Sequence, residues 1–117
     1  AHTRKKGTEA EDLAVKYLKN KGYEVVKRNF HFGNFGEIDI ICRDKEFLVF
    51  VEVRSKAKKD SIEPMETITF KKRKTLRKVA EGYLYVNKIT DQPCRFDFIG
   101  IDFTRGEPQL QHIENAF

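Results

Sequence analysis

Asp39, in Gly36-Glu37-Ile38-Asp39-Ile40-Ile41, and Glu52, in Val49-Phe50-Val51-Glu52-Val53-Arg54, stand thirteen positions apart, each inside an otherwise apolar run. A carboxylate in such a run costs several kcal/mol unless it is paired, hydrogen-bonded or bound to a metal. Two of them aimed at one spot form an oxygen-ligand site for a hard divalent cation. With a third acid at Glu11 and a net charge of +5, the chemistry indicated is phosphodiester chemistry on nucleic acid. The plainer use of each acid is an ion pair with one of the 23 Lys and Arg residues.

The elements that must position these acids are legible from periodicity. Residues 8–21 carry Ala10, Leu13, Ala14, Tyr17 and Leu18 at helical spacing, and Gly22 supplies a stop. Residues 23–32 read as a strand, residues 33–36 as a turn, and residues 36–43 and 46–55 as two further strands joined by Asp44-Lys45. Residues 55–64 are polar and basic, hence a loop. Thr69 is the predicted N-cap of a second helix reaching Asn87, with Leu76, Val79, Ala80, Tyr83 and Val86 as its buried stripe. Residues 95–103 form a fourth strand and residues 109–113 a short fifth. The order α-β-β-β-α-β, with a terminal strand, predicts an α/β fold: a mixed sheet made of an antiparallel meander and a helical crossover.

Strand side chains alternate faces, so Ile38, Ile40 and Cys42 should share one face and Glu37, Asp39 and Ile41 the other. On the next strand Val49, Val51 and Val53 oppose Phe50, Glu52, Arg54 and Lys56. A two-residue turn at Asp44-Lys45 pairs Asp39 with Phe50 and makes Glu52 its diagonal neighbour, about 7–8 Å away on the same face. One cation can bridge that gap, whereas a slip of one residue would separate the acids. Glu11 has two competing uses. It lies at the edge of its helix's apolar stripe, facing a cleft, but Thr8-x-x-Glu11 also matches a capping box.

A chain of 117 residues reads as one domain over residues 1–117, large enough to bury roughly two-thirds of its unfolded surface. The apolar fraction of 39% and charged fraction of 35% fit a globular protein with a highly charged surface. No apolar run exceeds the five residues from Phe47 to Val51, which excludes a helical membrane span. No secretory signal is visible, and the chain opens on Ala1-His2, the form a processed or engineered start would take. Cys42 and Cys94 have no metal-type spacing and read as buried thiols, which fits a reducing cytoplasm.

These residues resemble a known family. Asp39 followed by Glu52-Val53-Arg54 is similar to the D…ExK core of the PD-(D/E)XK nuclease superfamily, and the helical Glu11 upstream resembles archaeal Holliday junction resolvases. More closely, the chain resembles the YraN-like family of small predicted bacterial endonucleases. The match runs through Ala10-Glu11-x-x-Ala14-x-x-Tyr17-Leu18, Gly22-Tyr23, Arg28-Asn29, Gly36-Glu37-Ile38-Asp39, Val49 to Arg54, Lys72, Arg95-Phe96-Asp97 and His112-Ile113-x-x-Ala116-Phe117. The resemblance implies a restriction-endonuclease-like fold and metal-dependent hydrolysis of DNA, including branched or recombination intermediates, to 5′-phosphate products. It implies Glu11, Asp39 and Glu52 as ligands of Mg2+ or Mn2+, with the Val53 carbonyl completing the site. Arg54 stands where the superfamily has Lys. It can offset transition-state charge and bind phosphate oxygens, but is too basic to take a proton. Lys56, one pleat further, or Lys72 could supply the missing ammonium, and Glu37 could hold a second cation or a water. The alternative is a non-catalytic nucleic-acid-binding module that retains the fold.

Six cations fall in the eight residues 71–78. Lys71, Lys72, Arg73 and Lys74 occupy the first turn of the predicted second helix, where the macrodipole makes each cation unfavourable by about 0.3–1 kcal/mol. A nucleic-acid phosphate would relieve that conflict, as would Glu63 and Glu66 upstream. His31 and Phe32, before the glycine turn, stand where nucleic acid could be touched. Arg95 and Asp97 read as a structural ion pair and His112 as a packing residue. Cleavage of a symmetric junction would suit a homodimer.

Overall fold

The computed structural model describes residues 2–59 and 61–117, so the chain's start at Ala1 lies outside the described residues. Helix α1 (His2–Asn20) leads into β1 (Glu24–Phe32), β2 (Gly36–Asp44) and β3 (Phe47–Lys56). A 3-10 turn (Pro64–Thr67) precedes α2 (Phe70–Val86), and β4 (Cys94–Asp102) and β5 (Gln109–Ile113) follow. The five strands form one sheet in the order β1-β2-β3-β4-β5. Only β3 and β4 are parallel, because α2 carries the chain across between them. This is a mixed α/β architecture, α-β-β-β-α-β-β, consistent with the restriction-endonuclease-like fold.

Local chemistry accounts for the element ends. Gly22 adopts φ 100°, and the Tyr23 N–H reaches back to the Leu18 carbonyl at 3.0 Å, closing α1 with a left-handed cap. The Thr69 hydroxyl accepts from the Lys72 N–H at 3.1 Å and caps α2. Helix α1 begins six residues before Thr8, so Thr8 is interior and Glu11 is not part of a capping box.

The sheet is covered on both faces. Ala10, Ala14 and Leu18 of α1 pack with Ile40, Cys42, Val49, Val51, Ile99 and Ile101. On the other face Leu76, Val79, Ala80 and Tyr83 of α2 pack with Ile38, Ile41, Leu48 and Phe50. Val86, expected in that stripe, is exposed at the helix end instead. Gly82 brings α2 close to the sheet: a Cβ there would lie 2.4 Å from the Phe32 ring.

Two expectations about the strands are corrected. The β2–β3 turn is Lys45-Glu46 rather than Asp44-Lys45, since Asp44 pairs with Phe47. Lys45 takes the left-handed φ of 57° that a tight hairpin turn requires. The register moves by two, so Phe50 pairs with Ile41, and extending the ladder one step beyond Ile40↔Val51 brings Asp39 opposite Glu52. Strict alternation also fails, because Ile38 packs with Ile41 on the α2 face instead of with Ile40 and Cys42. The reset occurs at Asp39 and, by the β1–β2 register, at its cross-strand neighbour Asn29, whose φ is 52°. A left-handed residue in a strand turns the following side chain to the other face, and Phe30 joins Ile38 on the α2 side.

Candidate metal centre

The strand irregularity is what assembles the acids. The β2–β3 ladder ends at Ile40↔Val51, and the Val53 N–H donates to Asp39 Oδ2 at 2.8 Å. A residue in a strand sends its N–H and C=O from the same edge, so the Val53 carbonyl opens onto the same gap. Carboxylate oxygens of Glu11, Glu37 and Asp39 lie within 4.8 Å of one another, forming an acidic cluster able to hold a metal ion. Glu52 is 5% exposed and stands on the β3 side of Asp39. Its Oε2 accepts from Arg54 Nε at 3.0 Å and pairs with Arg54 Nη2 at 2.9 Å. Its Oε1 is buried and has no hydrogen-bond partner among the described residues.

Among the described residues, little positive charge offsets these acids. Burial, the neighbouring charge of Glu52 and then that of Glu37 push the Asp39 carboxyl up to about 8, against the lowering effect of the Val53 N–H. Burial also raises Glu11, helped by Asp39 and Glu37, while Asn29 and Arg28 pull it down. Asn29 Nδ2 donates to Glu11 Oε1 at 2.9 Å and to Glu37 Oε2 at 2.7 Å, bridging helix and sheet. Arg28 lies 3.7 Å from Glu11 but is committed to Asp12 at 2.8 Å. Three half-buried carboxylates, two of them with raised proton affinity, next to a buried Glu52 with an orphan oxygen fit the donor set a hard divalent cation takes.

The sequence-derived residues therefore fall into groups. Glu11 and Asp39 come together with Glu37, while Glu52 lies outside that group, next to Asp39, with Val53 and Arg54 beside it. Lys56 is paired with Glu63. Lys71, Lys72, Arg73 and Lys74 sit in the first turns of α2, with no acid in the first turn. Glu63 and Glu66 are occupied elsewhere, by Lys56 and by the Glu63 N–H. His31 lies 3.4 Å from Glu37, and Phe32 packs over Gly82. Asn29 was missed, although a lone Asn between Arg28 and Phe30 in a strand-like run signals a left-handed residue. Glu37 was placed on the Asp39 face but outside the metal ligands, and the cluster includes it.

Arg95 and Asp97 do form an ion pair, with Nε to Oδ1 and Nη2 to Oδ2 both at 2.9 Å. His112 is packed against it, Nε2 lying 2.8 Å from Asp97 Oδ2. The Asn115 N–H completes the set at 3.0 Å. Burial acts to raise the Asp97 carboxyl, but His112, Arg95 and Asn115 together hold it below the usual carboxylate range.

The profile described as "Uncharacterised protein family UPF0102" matches residues 10–101. The chain belongs to the UPF0102 family. Its YraN-like resemblance is thereby supported. A UPF0102 protein of Persephonella marina is 45% identical over 112 residues, covering 96% of this chain and 92% of its own length. One from Dehalococcoides mccartyi is 40% identical over 117 residues, with 99% and 96% covered. One from Alkaliphilus oremlandii is 40% identical over 116 residues, with 97% and 98% covered. The matched region contains α1 from Ala10, the hairpins and β3, hence every acid of the cluster. Among the described residues, no helix is long and apolar enough to cross a membrane.

Proposed function

We propose that this UPF0102 chain, as a single nuclease-like domain of the PD-(D/E)XK type acting in the cytoplasm, is a Mg2+- or Mn2+-dependent endonuclease that hydrolyses DNA phosphodiester bonds. The observation that carries this reading is Glu52 Oε1, a buried carboxylate oxygen with no partner among the described residues, beside the half-buried Asp39. Leaving such an atom unsatisfied costs more than its burial returns unless a cation engages it. Glu11, Asp39, Glu52 and the Val53 carbonyl would hold that ion, with Glu37 able to support a water or a second cation. The ion would polarise a phosphoryl oxygen and lower the pKa of an attacking water.

The chain's own groups do the rest. Arg54 keeps Glu52 in place and, being one-third exposed, presents the rest of its fork for a phosphate oxygen. It cannot accept a proton, so that task belongs to a carboxylate of the cluster. Lys56 is drawn towards Glu63 and would have to leave that pair to assist. Lys71, Lys72, Arg73 and Lys74 bind the DNA backbone at the positive end of α2, and a homodimer would present two such sites to a branched or recombination intermediate.

Arg54 also motivates the second reading, a DNA-binding module without catalysis, because one oxygen of Glu52 is already neutralised. Mn2+-dependent cleavage of labelled four-way-junction, flap, single-stranded and duplex DNA separates the two. The expected result is cleavage by the wild type that is lost in Asp39→Ala and reduced in Arg54→Ala. Absent cleavage with junction binding intact in both variants would instead establish the binding module.

A further inference from the structure

Phe35 is 52% exposed at the tip of the β1–β2 turn, two residues before Glu37 of the acidic cluster. A lone surface Phe has no need of explanation, but this one is held in place. Its ring lies 5.7 Å from that of Phe32 at an interplanar angle of 20°, and Phe32 is itself wedged over Gly82 of α2. The next residue, Gly36, is pressed against α2, since a Cβ there would lie 2.9 Å from Thr75 Cγ2. Lys78 places its ammonium 4.2 Å from the Phe35 ring centroid. A preorganised aromatic ring with an ammonium against it, two residues along the chain from Glu37 of the acidic cluster, has the recognition chemistry of a nucleotide. The base stacks as the Lys78 ammonium leaves the ring for the phosphate, and the sugar–phosphate chain leads on along the turn towards Glu37.

The adjoining surface of α2 has the same character. Lys71, Lys74 and Lys78 follow one another on its exposed side, opposite the buried Leu76, Val79 and Tyr83. Phe70, 74% exposed, lies under the Lys74 ammonium at 5.3 Å. Cations alone would suit any phosphate backbone, paired or not. Exposed rings interleaved with them discriminate, because only a base freed from its own stack can lie on a side chain.

We propose that Phe35, backed by Phe32 and flanked by Lys78, is a stacking platform for an unpaired nucleotide. The substrate class of the site is then DNA with a single-stranded or unstacked position next to the scissile phosphate. This rests on the nucleic-acid reading given above and narrows it.

The chain contains no Trp, so Phe35→Trp installs a single fluorescent reporter at the platform. Titration in EDTA with a single-stranded oligonucleotide, and in parallel with a blunt duplex of equal length, removes cleavage from the measurement. Stacking should quench the indole emission of the Phe35→Trp variant with the single strand and not with the duplex. Phe35→Ala should weaken single-strand binding about tenfold by anisotropy and change duplex binding less than twofold. A thermal melt of Phe35→Ala checks that the variant folds. The proposal is overturned by unquenched emission when the single strand is bound, by equal losses on both substrates, or by no binding of wild type to either. Quenching with no Mn2+-dependent cleavage would uphold the platform while removing the endonuclease reading.

Discussion

Asp39 is ionised at a cost in the metal-free protein. Glu11, Glu37 and Glu52 surround it, Arg54 is committed to Glu52, and among the described residues the Val53 N–H is what favours its charge. Its folded-state proton affinity lies above the unfolded value of 3.8, reaching about 8. The sign follows directly: the unfolded chain releases this proton first, so the acid opposes folding increasingly as pH rises from about 4 to about 8. Asp39→Asn keeps an acceptor for Val53 and removes the charge. It should stabilise the metal-free protein by on the order of 2 kcal/mol above pH 8, with little effect near pH 4. It should also abolish the melting-temperature gain that millimolar Mn2+ is expected to give the wild type. A lower melting point for Asp39→Asn at pH 8.5 would show that the acid is not held under strain. Asn29 is separable in the same way. Asn29→Gly keeps the left-handed backbone and loses the bridge to Glu11 and Glu37, so metal affinity should fall about tenfold with the fold intact. Asn29→Ala loses the bridge and adds about 1–2 kcal/mol of backbone strain, visible as a lower melting point than that of the Gly variant.

At the level of elements, much of the architecture is legible because its signals are local. Thr69 caps α2, Gly22 ends α1, and Gln109–Ile113 forms the short fifth strand. The relation between strands is less legible, because it depends on which residues accept a left-handed backbone. Asp44-Lys45 and Lys45-Glu46 are equally plausible turns by composition, and only the paired strands select Lys45 for φ 57°. The break at Asn29 and Asp39 leaves no trace in apolar periodicity, yet it decides which acids meet. The two-residue change of register brings Glu52 opposite Asp39, where a two-residue turn at Asp44-Lys45 would have made it a diagonal neighbour. The Asp97 network belongs to this scale, since it joins β4 to β5 and to the chain after it. The folded-state proton affinity of Asp97 is depressed, so its contribution is present above the unfolded value near 3.8 and is lost as pH falls below it. Asp97→Asn leaves Arg95 without its closest carboxylate and should cost about 3–5 kcal/mol at pH 7 in urea unfolding. That difference should narrow steadily below pH 4. A difference independent of pH would mean that the network acts through packing alone.

Across the whole molecule, the charge of +5 is less informative than its separation. Carboxylates are gathered inward at the break in the sheet, while Lys71, Lys74 and Lys78 stand outward along one helix. A polyanion approaching the acids is repelled by them and must be held from the side, which is where the α2 cations lie relative to the Phe35 turn. Lys58 and Lys59 lie beyond Lys56, which is turned to Glu63, with Lys59 near Asp102 and Arg105 at the far end of β3. The two basic clusters should therefore differ in what they contribute. Each phosphate contact removed from duplex binding lowers the slope of log K against log salt by about 0.9. Lys71→Gln/Lys74→Gln/Lys78→Gln should reduce that slope by about 2–3 with an unchanged melting point, since all three side chains are exposed. Lys58→Gln/Lys59→Gln should leave it within about half a unit. A reversed ranking would move the DNA path off α2 to the loop after β3, and the strand would then meet the acids from the Arg54 side rather than past Phe35.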